Sequence, residues 1–136
     1  MQRHEYIEAL TQLKLSAMAE HWDDIVTDGI RRKRSTADIL ERLIQSELTH
    51  RRIRSIEYKI KTARFAQHKT LADFQFEQSI VNEEYIRMLL ENDYIEQKRN
   101  IVLIGGPGTG KSHLATALGI HAATEGFRVR YFNVLD

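Results

Sequence analysis

Apolar residues recur at steps of three and four over the first part of the chain, the spacing that places them on one face of a helix. The first stripe runs from Tyr6 to Val26 and contains Trp22, which predicts one helix with Trp22 as an anchor in the core. Gly29 is the predicted end of this helix, because glycine takes the left-handed C′ conformation at little cost.

A second apolar stripe runs from Ile39 to Ala63 without an interrupting proline or glycine. Ser35 and Asp38 stand just before it at capping-box spacing, which favours a helix start at this point. We therefore predict one long helix that continues to about Arg64 and packs along the first helix as a hairpin.

The helical pattern breaks over residues 66–79, where Phe74 and Phe76 are expected to fill the core at a turn of the chain. Asn82 is a candidate N-cap for a third helix, with Val81 and Ile86 as its hydrophobic staple. The apolar stripe of this helix continues to residue 95, so residues 1–98 are predicted to form an all-helical unit.

From residue 99 onward the pattern changes. Residues 101–104 form a short apolar run typical of a buried strand, and residues 128–134 alternate and are rich in Val, Tyr and Phe. Residues 111–125 between them predict a helix, with Gly126 as its C′ residue. Strand, glycine turn, helix and strand make one βαβ unit, which predicts an α/β domain over residues 99–136.

Composition adds limits on the compartment of the protein. The chain has 136 residues and no cysteine, so it can form neither a disulfide nor a cysteine-based zinc site. The first ten residues lack the apolar segment of a signal peptide, and the run over residues 101–104 is too short to span a bilayer. We therefore expect a cytoplasmic protein that does not bind membranes.

Charge is distributed unevenly along the chain, although the net charge is only +1. Residues 31–64 contain eleven Lys or Arg and four Asp or Glu, a net charge of +7. Residues 73–97 contain seven acids and one base, a net charge of −6. A basic segment followed by an acidic one indicates a surface for a polyanion beside a neutralising or partner-facing surface.

The glycine-rich stretch after the first predicted strand matches the Walker A pattern G-x-x-x-x-G-K-[ST] in full. Its residues are Gly105, Gly106, Pro107, Gly108, Thr109, Gly110, Lys111 and Ser112. Glycines let backbone N–H groups wrap closely round a phosphate, and the helix that follows favours an anion at its N-terminus. We expect ATP here, with Lys111 on the β- and γ-phosphate oxygens and the Ser112 hydroxyl on Mg²⁺.

His113 follows in the first turn of this helix and joins the candidate nucleotide-binding residues. A first-turn helix residue without a ligand role is the more frequent case for a histidine in this position.

The basic stretch supplies candidate contacts to the phosphates of double-stranded DNA. The candidates are Arg31, Arg32, Lys33, Arg34, Arg51, Arg52, Arg54, Lys59, Lys61 and Arg64. The alternative is a solvated helix face with i,i+4 ion pairs, such as Glu47 with Arg51. No base-reading motif accompanies these residues, so a DNA contact would be directed at the backbone.

The stretch NIVLIGGPGTGKSHLATALGIHAATEGFRVRYFNV resembles the start of an AAA+ ATPase module. Upstream, LKLSAMAEHW, SELTHRRIRS and KTLADFQF follow one another in an order that resembles the IstB-like ATP-binding proteins, the helper ATPases of bacterial insertion sequences. This resemblance covers essentially the whole chain. It implies an AAA+ P-loop NTPase fold that stops after the first βαβ unit, preceded by a helical region over residues 1–98.

The resemblance also implies a function. A protein of this family binds ATP, assembles on DNA as an oligomer through its helical region and AAA+ module, and presents target DNA to a partner transposase. Two alternatives stay open, a replicative helicase loader, which shares the helical front end and this loop, and a non-enzymatic DNA-binding fragment.

The chain departs from the family pattern after the loop, since it contains no Walker B acidic strand, sensor or arginine finger. In the family topology other strands lie between the first two, and two isolated parallel strands with open edges are poorly stabilised. We expect the N-terminal portion of a longer protein, without ATP turnover by residues 1–136 alone. Turnover that disappears in Lys111→Ala would contradict this expectation.

Overall fold

The computed structural model describes residues 1–134. The α-helices in this part are α1 (Arg3–Gln12), α2 (Ser16–Glu20), α3 (Asp28–Arg31), α4 (Thr36–Ala63), α5 (Glu83–Leu89), α6 (Asp93–Glu96) and α7 (Lys111–Thr124). A π-helical turn covers Asp23–Thr27, and 3₁₀ turns cover Leu71–Asp73 and Phe76–Gln78. Among the described residues, no helix combines the length and the apolar character needed to cross a membrane.

The contacts within the chain define two compact units, Met1–Ser55 and Ile56–Asp136, with the division inside α4. The domain division predicted between residues 98 and 99 rests on the change in sequence pattern and stays a prediction.

The prediction of one continuous first helix is wrong, since the chain bends after α1. The α1 helix ends in a Schellman motif, in which the Lys14 N–H donates to Thr11 O (3.0 Å) and the Leu15 N–H donates to Leu10 O (2.8 Å). Lys14 has a φ of 61° and takes the left-handed C′ position. Because a lysine fills this position, no glycine in the sequence indicated the break.

Gly29 does not end a helix but lies buried inside α3. A Cβ atom at Gly29 would lie 2.9 Å from Cγ1 of Ile39, so the glycine permits close packing. The C′ residue after α3 is Lys33, with a φ of 56°. The predicted stop was therefore in the right region but at the wrong residue, since glycine serves packing here and a lysine takes the turn.

The predicted start and length of the second helix are confirmed. The Asp38 N–H donates to Ser35 Oγ (3.1 Å), and α4 continues to Ala63. Farther along α4, Glu47 is 6% exposed, and its Oε2 accepts the N–H groups of Ala17 (3.0 Å) and Met18 (3.2 Å). The Glu47 carboxylate thereby satisfies two free amides at the start of α2, which has no cap from a neighbouring side chain.

The unit that begins at Ile56 has a core of Ile86, Leu89, Leu114 and Leu118. Phe74 and Phe76 pack against this core, as predicted for the turn region. Their rings meet edge to face with centroids 4.8 Å apart.

Asn82 caps α5 as predicted, since its Oδ1 accepts the Tyr85 N–H (3.1 Å). The third helix does not continue to residue 95, however. Asn92 has a φ of 61°, and this left-handed residue separates α5 from the short helix α6.

The described residues contain no β-strand, so the prediction of a βαβ unit is wrong for this part of the chain. A strand needs a hydrogen-bonded neighbour, and residues 101–104 and 128–134 do not pair with each other. Buried and exposed side chains nevertheless alternate along residues 101–104. Ile101 and Leu103 pack against the core, whereas Val102 and Ile104 are 76% and 91% exposed.

The helix predicted after the glycine stretch is confirmed as α7. Buried residues lie on all sides of it, and Gly126 takes the left-handed C′ position with a φ of 99°. The core therefore fixes α7, and with it the end of the glycine loop, to the rest of this unit.

Candidate functional site

The glycine loop covers residues 105–110 and leads directly into α7, whose first residue is Lys111. Gly108 and Gly110 have φ values of 75° and 89°, and Gly110 is the N-cap of the helix. Left-handed residues in alternation with right-handed ones turn successive backbone N–H groups toward the same side, the arrangement called an anion nest. Only glycine takes these conformations without strain.

The backbone amides of this region are free donors. Within residues 1–134, no amide from residue 105 to residue 113 donates to a protein acceptor. No side chain caps α7 either. The loop and the first turn of α7 therefore present a row of unsatisfied N–H groups at the positive end of a helix dipole, which suits an anion.

The four loop glycines fall into two groups by the space around them. A Cβ atom at Gly106 or Gly108 would meet nothing within 4 Å. At Gly105 it would lie 2.8 Å from Thr109 Oγ1, and at Gly110 it would lie 2.7 Å from the Phe74 ring. Gly105 and Gly110 are therefore required by the packing of the loop, whereas the fold leaves open space beside Gly106.

The polar side chains of the loop differ in what they bind. The Lys111 ammonium donates to the carbonyl oxygen of Gly105, which links the two ends of the loop. The Thr109 hydroxyl donates to Gly106 O (2.7 Å). Ser112 is exposed, and its hydroxyl has no partner among the described residues. Its oxygen is available to a metal ion.

His113 connects the loop to the segment that carries Phe74. Its Nε2 lies 2.8 Å from Thr70 O, and this nitrogen must donate because a carbonyl oxygen can only accept. The Phe74 ring meets the imidazole edge to face at 5.2 Å. The His113 side chain therefore anchors the segment from Thr70 to Phe74, and its backbone amide has no acceptor among the described residues.

The anchored segment is itself held by a local carboxylate. Asp73 Oδ2 accepts both the hydroxyl (2.9 Å) and the backbone N–H (3.3 Å) of Thr70. These hydrogen bonds lower the pKa of the Asp73 carboxyl below its ordinary value, with Thr70 as the main cause. The turn before the loop is thus a defined structure, although the sequence pattern indicated only a break in the helices.

The ten basic candidates divide by their partners. Arg31 and Arg32 pair with Asp28, Arg34 pairs with Asp38, and Arg51 pairs with Glu47. Lys59 donates to Gly126 O (3.0 Å). Within the part of the chain that the structure describes, the remaining five have no side-chain partner, and these are Lys33, Arg52, Arg54, Lys61 and Arg64.

The ion pairs affect the acids as well. Hydrogen bonding from Arg31 lowers the pKa of Asp28, and hydrogen bonding from Arg42 lowers that of Asp38. Both carboxylates therefore stay charged at neutral pH and offset part of the positive charge that was counted from the sequence. Seven of the ten candidates lie in the Met1–Ser55 unit and three in the other.

The sequence did not indicate that Phe74 lies against Gly110 or that Arg42 shares the Asp38 carboxylate with Arg34. Phe74 was expected in the core, and its contact with the loop could not be foreseen without the turn at Thr70. Arg42 stands alone among acids and apolar residues in the sequence, so it was not grouped with the basic runs.

A glycine loop of this sequence at the start of a helix is the defining feature of the P-loop NTPases. The profile of the IstB-like ATP binding protein family matches residues 8–136. The chain belongs to this family, which lies in the AAA+ class of P-loop NTPases.

Three relatives carry names that describe them as ATP-binding proteins of insertion sequences. One, of IS5376 from Geobacillus stearothermophilus, is 34% identical over 134 residues, which are 98% of this chain and 52% of the relative. Another, of IS21 from Pseudomonas aeruginosa, is 32% identical over 94% of this chain and 49% of its own length. The third, of IS232 from Bacillus thuringiensis subsp. berliner, is 36% identical over 84% and 46%. The chain spans about half the length of these curated relatives.

Proposed function

We propose that this chain is the nucleotide- and DNA-binding part of an ATP-dependent helper protein of DNA transposition. The observation that carries the proposal is the row of free amides over residues 105–113, in a chain that belongs to an ATP-binding family. Relatives named for insertion sequences support the connection with transposition.

In this proposal ATP binds with its phosphates in the glycine loop. The amides of Gly105, Gly106, Gly108, Thr109, Gly110, Lys111, Ser112 and His113 donate to phosphate oxygens, and Pro107 shapes the turn. Lys111 exchanges its bond to the Gly105 carbonyl for one to the β- and γ-phosphates, a stronger charge-assisted contact.

Magnesium fits the same site, because the Ser112 hydroxyl is exposed and without a partner among the described residues. A hard cation prefers such oxygen ligands, completed by phosphate oxygens and water. Bound there, Mg²⁺ neutralises phosphate charge.

The proposed DNA contacts lie on the basic segment. The five cations without a partner in the described structure are the strongest candidates, since no ion pair must be broken before they meet a phosphate. The paired residues Arg31, Arg32 and Arg51, and Lys59 with its carbonyl partner, contribute less. Arg34 shares the Asp38 carboxylate with Arg42, so part of its charge remains available. Self-association on double-stranded DNA and regulation of a transposase complete the proposal.

A pull-down tests the choice of partner. The tagged chain is incubated with purified transposase or purified replicative helicase, with and without ATP and duplex DNA. We expect retention of the transposase, increased by ATP and DNA, and loss of the ATP-dependent part in Lys111→Ala. Retention of the helicase in place of the transposase would contradict the proposal and favour a helicase loader.

A further inference from the structure

A groove of about 420 Å³ lies in the Met1–Ser55 unit. Its polar lining consists mainly of His21, Asp24, Arg34, Arg42, Gln45 and Thr49. Positions 42, 45, 46 and 49 of α4 follow the i, i+3, i+4, i+7 spacing, so they share one helix face. A helix face that meets neighbouring elements is usually apolar, and this one carries hydrogen-bonding groups instead.

Two guanidiniums in this groove share one carboxylate oxygen. Asp38 Oδ2 accepts from Arg42 Nε at 3.0 Å and from Arg34 Nη1 at 3.5 Å. Each guanidinium has five N–H donors, so most of their donors remain available. Asp38 thereby orients the two arginines while it balances only one of their two charges.

Other donors of the groove are also unused. Within residues 1–134, the side chains of Gln45, Thr49 and His21 make no hydrogen bond. Arg, Gln and Thr side chains are among the usual donors to nucleic-acid phosphates, and guanidiniums match phosphate geometry in bidentate fashion. The net charge of +7 over residues 31–64 attracts a nucleic acid over a longer range than the two arginines of the groove could alone.

We propose that this groove holds one backbone phosphate of double-stranded DNA between Arg34 and Arg42, with Gln45 and Thr49 as further donors. The inference rests on the proposed function and adds Arg42, which lies outside the basic runs. Asp24 is the acidic residue of the lining, and it has no ion pair among the described residues. Its carboxylate repels a phosphate and limits the affinity.

The test measures binding of the full chain to a short fluorescein-labelled duplex by anisotropy over a range of salt concentrations. We expect Arg42→Gln to weaken binding about three- to tenfold at low salt and to reduce the slope of log K against log salt by about 0.9, the value for one phosphate contact. Arg34→Gln should act in the same direction. Arg42→Lys keeps the charge but loses the planar guanidinium that can bind a phosphate through two N–H groups. It should therefore keep the salt dependence of binding and lose part of the affinity.

Asp24→Asn should tighten DNA binding about twofold or more, because it removes a repelling charge. This variant is expected to gain affinity, so in folded protein it tests the groove even if an arginine variant is unstable. Arg87→Gln is the matched control, since it also removes one charge and one i,i+4 ion pair, in this case with Glu83 at 2.8 Å. It should leave DNA affinity unchanged.

Folded Arg42→Gln protein that binds DNA like the unaltered chain would overturn the inference, as would an equal loss in Arg87→Gln. Either result would leave the proposed function standing. Failure of the unaltered chain to bind duplex DNA at low salt would instead contradict both. Displacement of DNA by inorganic phosphate well beyond its effect as salt would identify a site for free phosphate and overturn the assignment to the DNA backbone.

Discussion

Single residues in the glycine loop have different tasks, and the sequence pattern fixes glycine only at positions 105 and 110. Gly110 has a left-handed φ and lies against the Phe74 ring, so the fold itself requires it. Gly106 has open space around its Cα, so the fold does not. Gly106 also stands at a position that the motif leaves open, so neither the fold nor the motif requires glycine there.

Glu47 is the residue whose role is least visible in the sequence. It is an acid on a basic helix, where an ion pair with Arg51 is the obvious interpretation, and that pair exists at 3.5 Å. Its buried oxygen makes the shorter contacts, to the two amides at the start of α2. These partners are 29 and 30 positions away in the sequence, so no local pattern could indicate them.

Glu47→Ala should lower the free energy of unfolding by about 1–3 kcal/mol, because two backbone amides lose their acceptor. Glu41→Ala is the matched control on the same helix, since Glu41 is exposed and has no partner among the described residues. It should change stability by less than about 0.5 kcal/mol. Urea unfolding followed by circular dichroism measures both, and equal effects would show that Glu47 does not cap α2.

At the level of helices, starts were predicted better than ends. Ser35 and Asn82 cap α4 and α5 as the sequence indicated, because caps depend on a few short polar side chains. Two helix ends were predicted, that of α4 near Arg64 and that of α7 at Gly126, whereas the ends of α1, α3 and α5 were not. After α1 and α3 a lysine takes the left-handed position, which any residue can adopt if the packing offsets the strain.

Lys14→Gly should raise the free energy of unfolding by about 0.5–1 kcal/mol, since glycine relieves the left-handed strain at this C′ position. The Schellman hydrogen bonds of Lys14 and Leu15 use the backbone and are kept. Lys14→Ala retains a Cβ atom and should give no gain. Urea midpoints compare the three proteins, and an equal gain in Lys14→Ala would contradict strain as the cause.

At the level of the whole molecule, the sequence predicted the helical part and the position of the glycine loop but not the absence of strands from the described residues. Ile101 and Leu103 face the core while Val102 and Ile104 face outward, so the predicted alternation of sides is present. A strand also requires a hydrogen-bonded neighbour, which a local pattern cannot supply. The apolar pattern of residues 101–104 therefore indicated which of their side chains are buried. Whether their backbone forms a strand depends on hydrogen bonds to a neighbouring strand, which the pattern does not contain.

The glycine loop also depends on contacts with distant parts of the sequence. Leu114 and Leu118 fix α7 in the core, and His113 joins α7 to Thr70, so the helix that follows the loop is held in place. From the sequence the loop could be recognised, but its fixed surroundings could not, because the partner segment is 43 positions away from His113. We infer that these surroundings hold the free amides in an arrangement that binds a nucleotide.

Calorimetric titration of Mg²⁺–ATP into the full chain is the direct measurement, with Lys111→Ala as the decisive variant. We expect saturable binding by the unaltered chain and a loss of about tenfold or more in Lys111→Ala, a cost of about 1.4 kcal/mol, because the ammonium contact to the phosphates is removed. Circular dichroism of the variant without nucleotide checks that it is folded. No binding by the unaltered chain, or equal affinity in folded Lys111→Ala, would show that the loop does not hold the phosphates of ATP.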